Sequence, residues 1–300
     1  MAFSSNPSSR PRLACEISGE RVIAARLNAA QSAIDVYSTR RLPTGTLLPG
    51  LSGTNVVHGE ALRSAVASAL EAVAGSLRDV MLIIPDAAVR VLLVDFDDLP
   101  AKHEDAAAVV RFRAKKSLPF DADSAALSFQ VERGRRPVKV VAAFSPRDVI
   151  AEYEGIIADA GFIPGVVVPS IIATLGLVQA DLPTMVVKVD GANTTVSIVD
   201  GQRLILLRTL EAPGRSTLTP QDIAANVLPS IVFFEDTYAS KVDRVLLTGD
   251  AEMTALSASL QQETSVRVET LAGPDLSGDG LGDTLPAAVL APVAGGLLGA

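Results

Sequence analysis

Residues 186–210 read VVKVDGANTTVSIVDGQRLILLRTL, and the reading of this stretch decides the fold. Val186, Val187 and Val189 form an apolar run that breaks at Asp190-Gly191-Ala192-Asn193. Residues 194–199 are β-branched and alternating, and residues 204–207 supply a third apolar run. The pattern predicts three strands joined by two tight turns. Asp200-Gly201 is a two-residue hairpin signal, expected to hold positive φ at both central positions. The first turn carries more chemistry. A strand that ends in Asp190-Gly191-Ala192-Asn193 and continues into Thr194-Thr195 can aim backbone N–H groups and hydroxyls at a phosphate. It reads equally well as an ordinary hairpin tip, and the residues alone leave both open.

Working outward, the same order recurs at the start of the chain. Residues 13–27 read LACEISGERVIAARL, a strand, a turn at Ser18-Gly19-Glu20 and a second strand; residues 33–42 give a third. Two copies of one unit, about 170 residues apart, point to an internally duplicated α/β fold. Between and after them, helices are expected at 60–77, 146–160, 170–179, 220–238 and 251–263, with strands at 80–84, 89–96, 126–132, 138–144, 162–168, 242–248 and 266–270. Ser145 is the expected N-cap of the helix that follows it. Residues 1–11, rich in Ser and Pro, read as a disordered tail without the apolar region of a secretory signal. Residues 273–283 read as a flexible Gly/Asp loop, and a short apolar helix follows Pro286. Asp181-Leu182-Pro183 is the expected hinge. The division is therefore 12–181 for the first half and 182–300 for the second.

Composition narrows the function. The net charge is −8, which argues against nucleic acid as a partner, because phosphate binding needs a basic face. One cysteine, Cys15, rules out an internal disulfide, and two distant histidines, His58 and His103, offer no metal-ligand spacing. Cys15 lies in an apolar run and reads as a small buried hydrophobe. No apolar stretch reaches the roughly 20 residues of a membrane-spanning helix. Membrane contact is thus expected only through partners.

Residues 95–120 hold most of the charge pattern. Acidic residues open a helix and Arg111, Arg113, Lys115 and Lys116 close it, matching the helix dipole. Ala106, Val109 and Phe112 are its expected apolar stripe. Leu118-Pro119-Phe120 follows as an exposed apolar corner. The turn Arg133-Gly134-Arg135-Arg136 reads as a solvated hairpin tip.

This order of elements resembles the actin-like (ribonuclease H-like) superfold, two halves around a cleft. More narrowly, the chain resembles the PilM family of type IV pilus assembly proteins, related to FtsA. The resemblance rests on residues 110–131, VRFRAKKSLPFDADSAALSFQV, and 140–164, VVAAFSPRDVIAEYEGIIADAGFIP. It covers about residues 12–300. It implies a cytoplasmic protein of pilus biogenesis that sits at the inner membrane through its partners. ATP with Mg would bind between the halves, and a subdomain inserted at about 86–145 would form a groove with the core. That groove would take the N-terminal cytoplasmic peptide of a PilN-like inner-membrane protein, with Leu118, Pro119 and Phe120 as partner-binding residues. Self-association stays open.

The resemblance also assigns a nucleotide site: Glu16, Ser18, Gly19, Lys188, Asp190, Gly191, Asn193, Thr194, Gly249 and Asp250. Each loop departs from the family's pattern. Glu16 stands where the first loop has Asp. Lys188 stands where the second has its metal-facing Asp, unless Asp190-Gly191 is the equivalent after a two-residue shift. Asp250 replaces a Gly on the adenine side. Mg–ATP needs carboxylates around the metal and close backbone approach to the phosphates, so a weak or absent site is expected, and no catalytic residue is assigned. Two classes of function follow: a scaffold that docks a membrane protein's tail, or an ATPase or phosphotransferase relying on Glu16, Asp190 or Asp250. A type II secretion protein of the GspL kind shares the fold, but a transmembrane helix would be expected to follow it.

Overall fold

A computed structural model describes residues 10–132, 136–211, 218–273, 279–281 and 285–299. The tail residues 1–9, the tip 133–135 and part of the loop 273–283 lie outside them. Two sheets repeat one strand order. The first half runs β1 (Leu13–Ile17), β2 (Arg21–Leu27), β3 (Ile34–Arg41), α1 (Gly59–Ala74) and β4 (Asp79–Ile84). After an insertion come α3 (Arg147–Asp159), β8 (Ile163–Pro169) and α4 (Ser170–Leu175). The insertion itself holds β5 (Arg90–Phe96), α2 (His103–Ala114), β6 (Ala126–Glu132) and β7 (Val138–Ser145). The second half runs β9 (Thr184–Asp190), β10 (Asn193–Asp200), β11 (Arg203–Glu211), α5 (Pro220–Tyr238), β12 (Arg244–Gly249), α6 (Met253–Thr264) and β13 (Arg267–Thr270), then β14 (Asp279–Leu281) and α7 (Ala287–Leu298).

The sheets are ordered β14-β3-β2-β1-β4-β8 and β11-β10-β9-β12-β13. In each, three antiparallel strands precede two parallel ones. This is the duplicated actin-like α/β fold that the opening stretch announces. A third sheet, β5-β7-β6, belongs to the insertion and packs on α2 with its own small core around Val110, Val140 and Phe144.

Strand alternation builds the layers. Cys15, Val22 and Leu82 point outward onto α1 and α3. Met185, Val187 and Val196 point outward from the second sheet onto α5 and α6. The opposite faces, with Ala14, Ile23, Ile83, Val186 and Leu246, share one core with α4 and α7 between the sheets. Helices α4 and α7 meet backbone to backbone. A Cβ on Gly295 would collide with the Ala173 carbonyl, and one on Gly176 with the Gly295 carbonyl. The long helix α5 starts at a capping box: the Asp222 amide donates to Thr219 Oγ1 and the Thr219 amide to Asp222 Oδ2, an arrangement worth about 1 kcal/mol.

Several local expectations need correction. The hairpin at Asp200 pairs Asp200 with Arg203, so its central residues are Gly201 and Gln202. Only Gly201 has positive φ, 59°, as a turn with Gly at its first central position requires. On α2 the buried residues are Ala106, Val110 and Ala114, a strict four-residue spacing, while Phe112 is 78% exposed. Leu118 and Phe120 pack against the insertion's core, and only Pro119 of that corner is exposed. Ser145 ends β7 and donates to the Ala88 carbonyl at 2.8 Å instead of capping α3. Helix α4 stops at Leu175, well short of residue 179. Within the expected loop 273–283, β14 pairs in parallel with β3. At the other end, Arg10 donates to the Gly296 and Gly299 carbonyls of α7.

The glycine contact yields a test. Gly295→Ala is expected to destabilise the protein by about 1–3 kcal/mol, because backbone must move to admit a methyl group in a packed interior. Gly155→Ala in α3, where a Cβ would meet nothing within 4 Å, is expected to be neutral or stabilising by up to about 1 kcal/mol. Chemical denaturation of the two variants beside the parent chain checks both.

Candidate functional site

The alternation that builds the layers also places the charges. Glu16 shares the inner face of β1 with Ala14, and Lys188 and Asp190 share the inner face of β9 with Val186. The two sheets therefore point these side chains at each other. Asp86, in a 3-10 turn directly after β4 and Pro85, completes the group.

Lys188 is 2% exposed. Its Nζ lies 3.5 Å from Asp190 Oδ2 and 3.7 Å from Asp86 Oδ2. Asp86 Oδ1 accepts from the Ile171 amide at 2.7 Å, in the first turn of α4. Asp86 also takes a hydrogen bond from Thr195, the cross-strand partner of Lys188. Ser170 Oγ donates to Glu16 Oε1 at 2.7 Å. Nearer the cleft mouth, Arg21 of β2 pairs with Asp250. Within the cleft, two ion contacts cross between the halves, Lys188 with Asp86 and Arg21 with Asp250.

The environment shifts Glu16, Asp86 and Lys188. Burial raises Glu16 to about 7, against the opposing pull of Lys188 and the Ser170 hydrogen bond. Burial also raises Asp86, with Lys188 and the Ile171 amide opposing. Burial pushes the Lys188 ammonium down, but Asp190, Asp86 and Glu16 outweigh it, so Lys188 stays protonated well above its ordinary range. Nearby Cys15 is buried and burial pushes its thiol up, which makes it inert.

Of the ten residues assigned from sequence, Glu16, Ser18, Lys188, Asp190, Gly249 and Asp250 line one cavity of about 20 Å³ between the halves. That is room for about one water molecule. Gly191 sits at the β9–β10 tip with φ 58°, and Gly19 in the β1–β2 turn; neither lines the cavity, nor does Asn193. Thr194 is buried on the side away from Lys188, and alternation gives Thr195 the inward role. Gly249 (φ 98°) is where β12 meets β9: a Cβ there would strike the Val189 carbonyl, and the Asp250 amide donates to that carbonyl at 2.9 Å. Its close approach serves a neighbouring strand.

Sequence reasoning missed Arg21, Asp86 and Ser170, and named Thr195 only as part of a turn able to face a phosphate. Asp86 had a usable signal, since ligand-facing groups gather at the carboxyl ends of parallel strands and Asp86 directly follows one. In this arrangement the residues do not fit Mg–ATP. The carboxylates that would face a metal already face an ammonium, and the space between the loops is far below that of a nucleotide. Among the described residues no group of three or more His, Cys, Asp or Glu is placed to hold a metal, and no helix is long and apolar enough to cross a membrane.

A larger opening lies elsewhere. The insertion's sheet turns Leu93, Val141 and Gln130 toward Leu204 and Ile205 of β11, enclosing a groove of about 350 Å³ that Arg113 and Tyr238 also line. Glu132 and Arg203 bridge it at 2.9 Å, and Lys139 pairs with Asp95 at 3.0 Å. Strand β11 pairs only with β10 among the described strands, so one wall of the groove is a sheet edge. Leu118, Pro119 and Phe120 do not line it.

No protein-family model matches the chain, and no curated protein matches it. Solved structures do. The chain is similar to one in the PilM–PilN type IV pilus biogenesis complex, with a TM-score of 0.77 and 18% identity over 96% of this chain and 98% of that one. It is also similar to the cytoplasmic domain of EpsL, an inner-membrane component of the type II secretion system of Vibrio cholerae (TM-score 0.55, 9% identity, 95% and 94% covered). A third likeness is to the ethanolamine utilization protein EutJ from Carboxydothermus hydrogenoformans (TM-score 0.53, 11% identity, 98% and 92% covered). These likenesses show an actin-like, PilM-like fold over nearly the whole chain.

The raised Glu16 yields a pH test. Its carboxyl holds a proton in the folded chain up to about pH 7, whereas in an unfolded chain it releases it near 4.3. The folded state binds the extra proton between these values, so stability falls as pH rises through that window. Glu16→Gln, which keeps the acceptor for Ser170, is expected to stabilise the protein by about 1–3 kcal/mol at pH 8 and to change little at pH 4.5. Urea unfolding at the two pH values checks it.

Proposed function

We propose that the chain is an actin-like scaffold of a type IV pilus assembly machine. It docks the N-terminal cytoplasmic peptide of a PilN-like inner-membrane protein, and its cleft between the halves works without Mg–ATP. The observation that carries the docking is the groove between the insertion and β11. It pairs an apolar floor with an open strand edge, and an extended peptide uses both: its backbone pairs with the edge and alternate side chains fill pockets. The full-length similarity to the PilM–PilN structure supports the same reading. The membrane is then reached through the partner, on its cytoplasmic side. An ATPase or phosphotransferase of this fold would need the cleft to admit a nucleotide, and Lys188 with its carboxylates argues against that.

The test is direct. A fluorescent synthetic peptide from the N-terminus of the adjacently encoded inner-membrane protein is titrated with the full chain. Micromolar binding is expected, weakened at least tenfold by Leu93→Asp or Ile205→Asp. Loss of binding with Pro119→Asp alone would move the seat to the 118–120 corner. No binding at high micromolar peptide would end the docking reading.

A further inference from the structure

We infer that Lys188 is a resident cation: it stands in place of a bound divalent metal and holds the two halves closed without nucleotide. The inference rests on the reading of the cleft as independent of Mg–ATP and is separate from the docking of a peptide. Four observations carry it.

First, Lys188 lies on the inner face of β9, two residues before the turn that faces the other half, and its ammonium is sealed from solvent. Second, its two anionic neighbours belong to different halves. Asp190 is its own strand's end, and Asp86 follows β4 of the first sheet, so the ammonium bridges them at 3.5 and 3.7 Å. A divalent ion between opposed carboxylates would make the same bridge.

Third, the carboxylates are held in place independently of the lysine. Asp86 is fixed by the Ile171 amide and Thr195, and Glu16 by Ser170. The anionic half of the site is therefore preorganised, and Lys188 fills it. Fourth, the space left over is about 20 Å³, and Arg21 with Asp250 bars its mouth. Taken together, the cation, its ligands and the gate are all supplied by the chain. A lysine tethered to β9 cannot diffuse away as a metal would, so the closed arrangement is permanent.

The test uses the whole chain and three kinds of readout. In thermal unfolding, millimolar MgCl2, alone or with ATP, is expected to leave the parent's Tm unchanged. Lys188→Met strands the buried Asp86 carboxylate and the partly buried Asp190, so its Tm should fall by roughly 5–15 °C, and millimolar MgCl2 or MnCl2 should restore part of the loss. Lys188→Met/Asp86→Asn removes both charges of the ion pair that crosses between the halves, leaves only the partly buried Asp190, and is expected to fold. Combined with Arg21→Ala, it should show a larger radius of gyration by small-angle scattering and faster trypsin cleavage than the parent. A rise in the parent's Tm with Mg–ATP would overturn both this inference and the nucleotide-independent reading. A Lys188→Met protein that melts like the parent, or that ignores the metals, would overturn the resident cation alone and leave that reading standing. An unchanged radius of gyration in the triple variant would overturn the claim of closure.

Discussion

The structure depends on two helices whose backbones touch. Helices α4 and α7 lie between the two sheets and meet where Gly176 and Gly295 have no side chains. Any larger residue would hold the helices apart and, with them, the sheets. The shared core around Ile171, Ala291 and Val293 can close only because these glycines let it. The short distance between the sheets then brings Glu16, Asp86, Lys188 and Asp190 within reach of one another. The charge cluster is thus a consequence of helix packing as much as of the residues that form it.

Burying three ionisable groups, with a fourth partly buried beside them, is costly unless each is answered. Here the answers come from several elements: an amide and a hydroxyl from the start of α4, a threonine from β10, and the ammonium from β9. No single strand could satisfy the cluster. The arrangement exists only when both halves are folded and closed, which couples local chemistry to the global fold. In the same way Gly249 spends its missing side chain on the neighbouring strand's carbonyl, so a loop that resembles a ligand-binding turn acts as a joint between β9 and β12.

Much of the fold was legible because period-two alternation and turn chemistry are local. Residues 186–210 and 13–42 announce two strand triplets, and the long helix expected from Pro220 to about residue 238 runs from Pro220 to Tyr238. What failed had tertiary causes. Phe112 suits an apolar stripe by spacing, yet the insertion's core selects Ala106, Val110 and Ala114, and the small alanines allow α2 to sit close to the sheet. Ser145 has good capping chemistry, but its hydroxyl donates to the Ala88 carbonyl in the 3-10 turn before β5. For the site, the family resemblance named Glu16, Lys188, Asp190 and Asp250, and the structure brings them around one small cavity. Asp86 carried only the signal of its place directly after a parallel strand, and Arg21 carried none, because no local pattern encodes a partner 229 residues away.

The smallest strand carries a mechanical meaning. Strand β14 comes from the second half in sequence, yet it pairs with β3 at the edge of the first sheet, and the chain then returns to lay α7 between the sheets. Ownership is therefore interlaced: the duplication that is symmetric in strand order is not symmetric in which segment completes which sheet. A cut of the chain near residue 181 would not yield two modules, since the piece before it would lack its edge strand and half of its inner core. Rotation of one sheet against the other must peel β14 from β3 or drag it along. The C-terminal segment works as a laced seam, its strand sewn to the edge of one sheet and its helix seated between both.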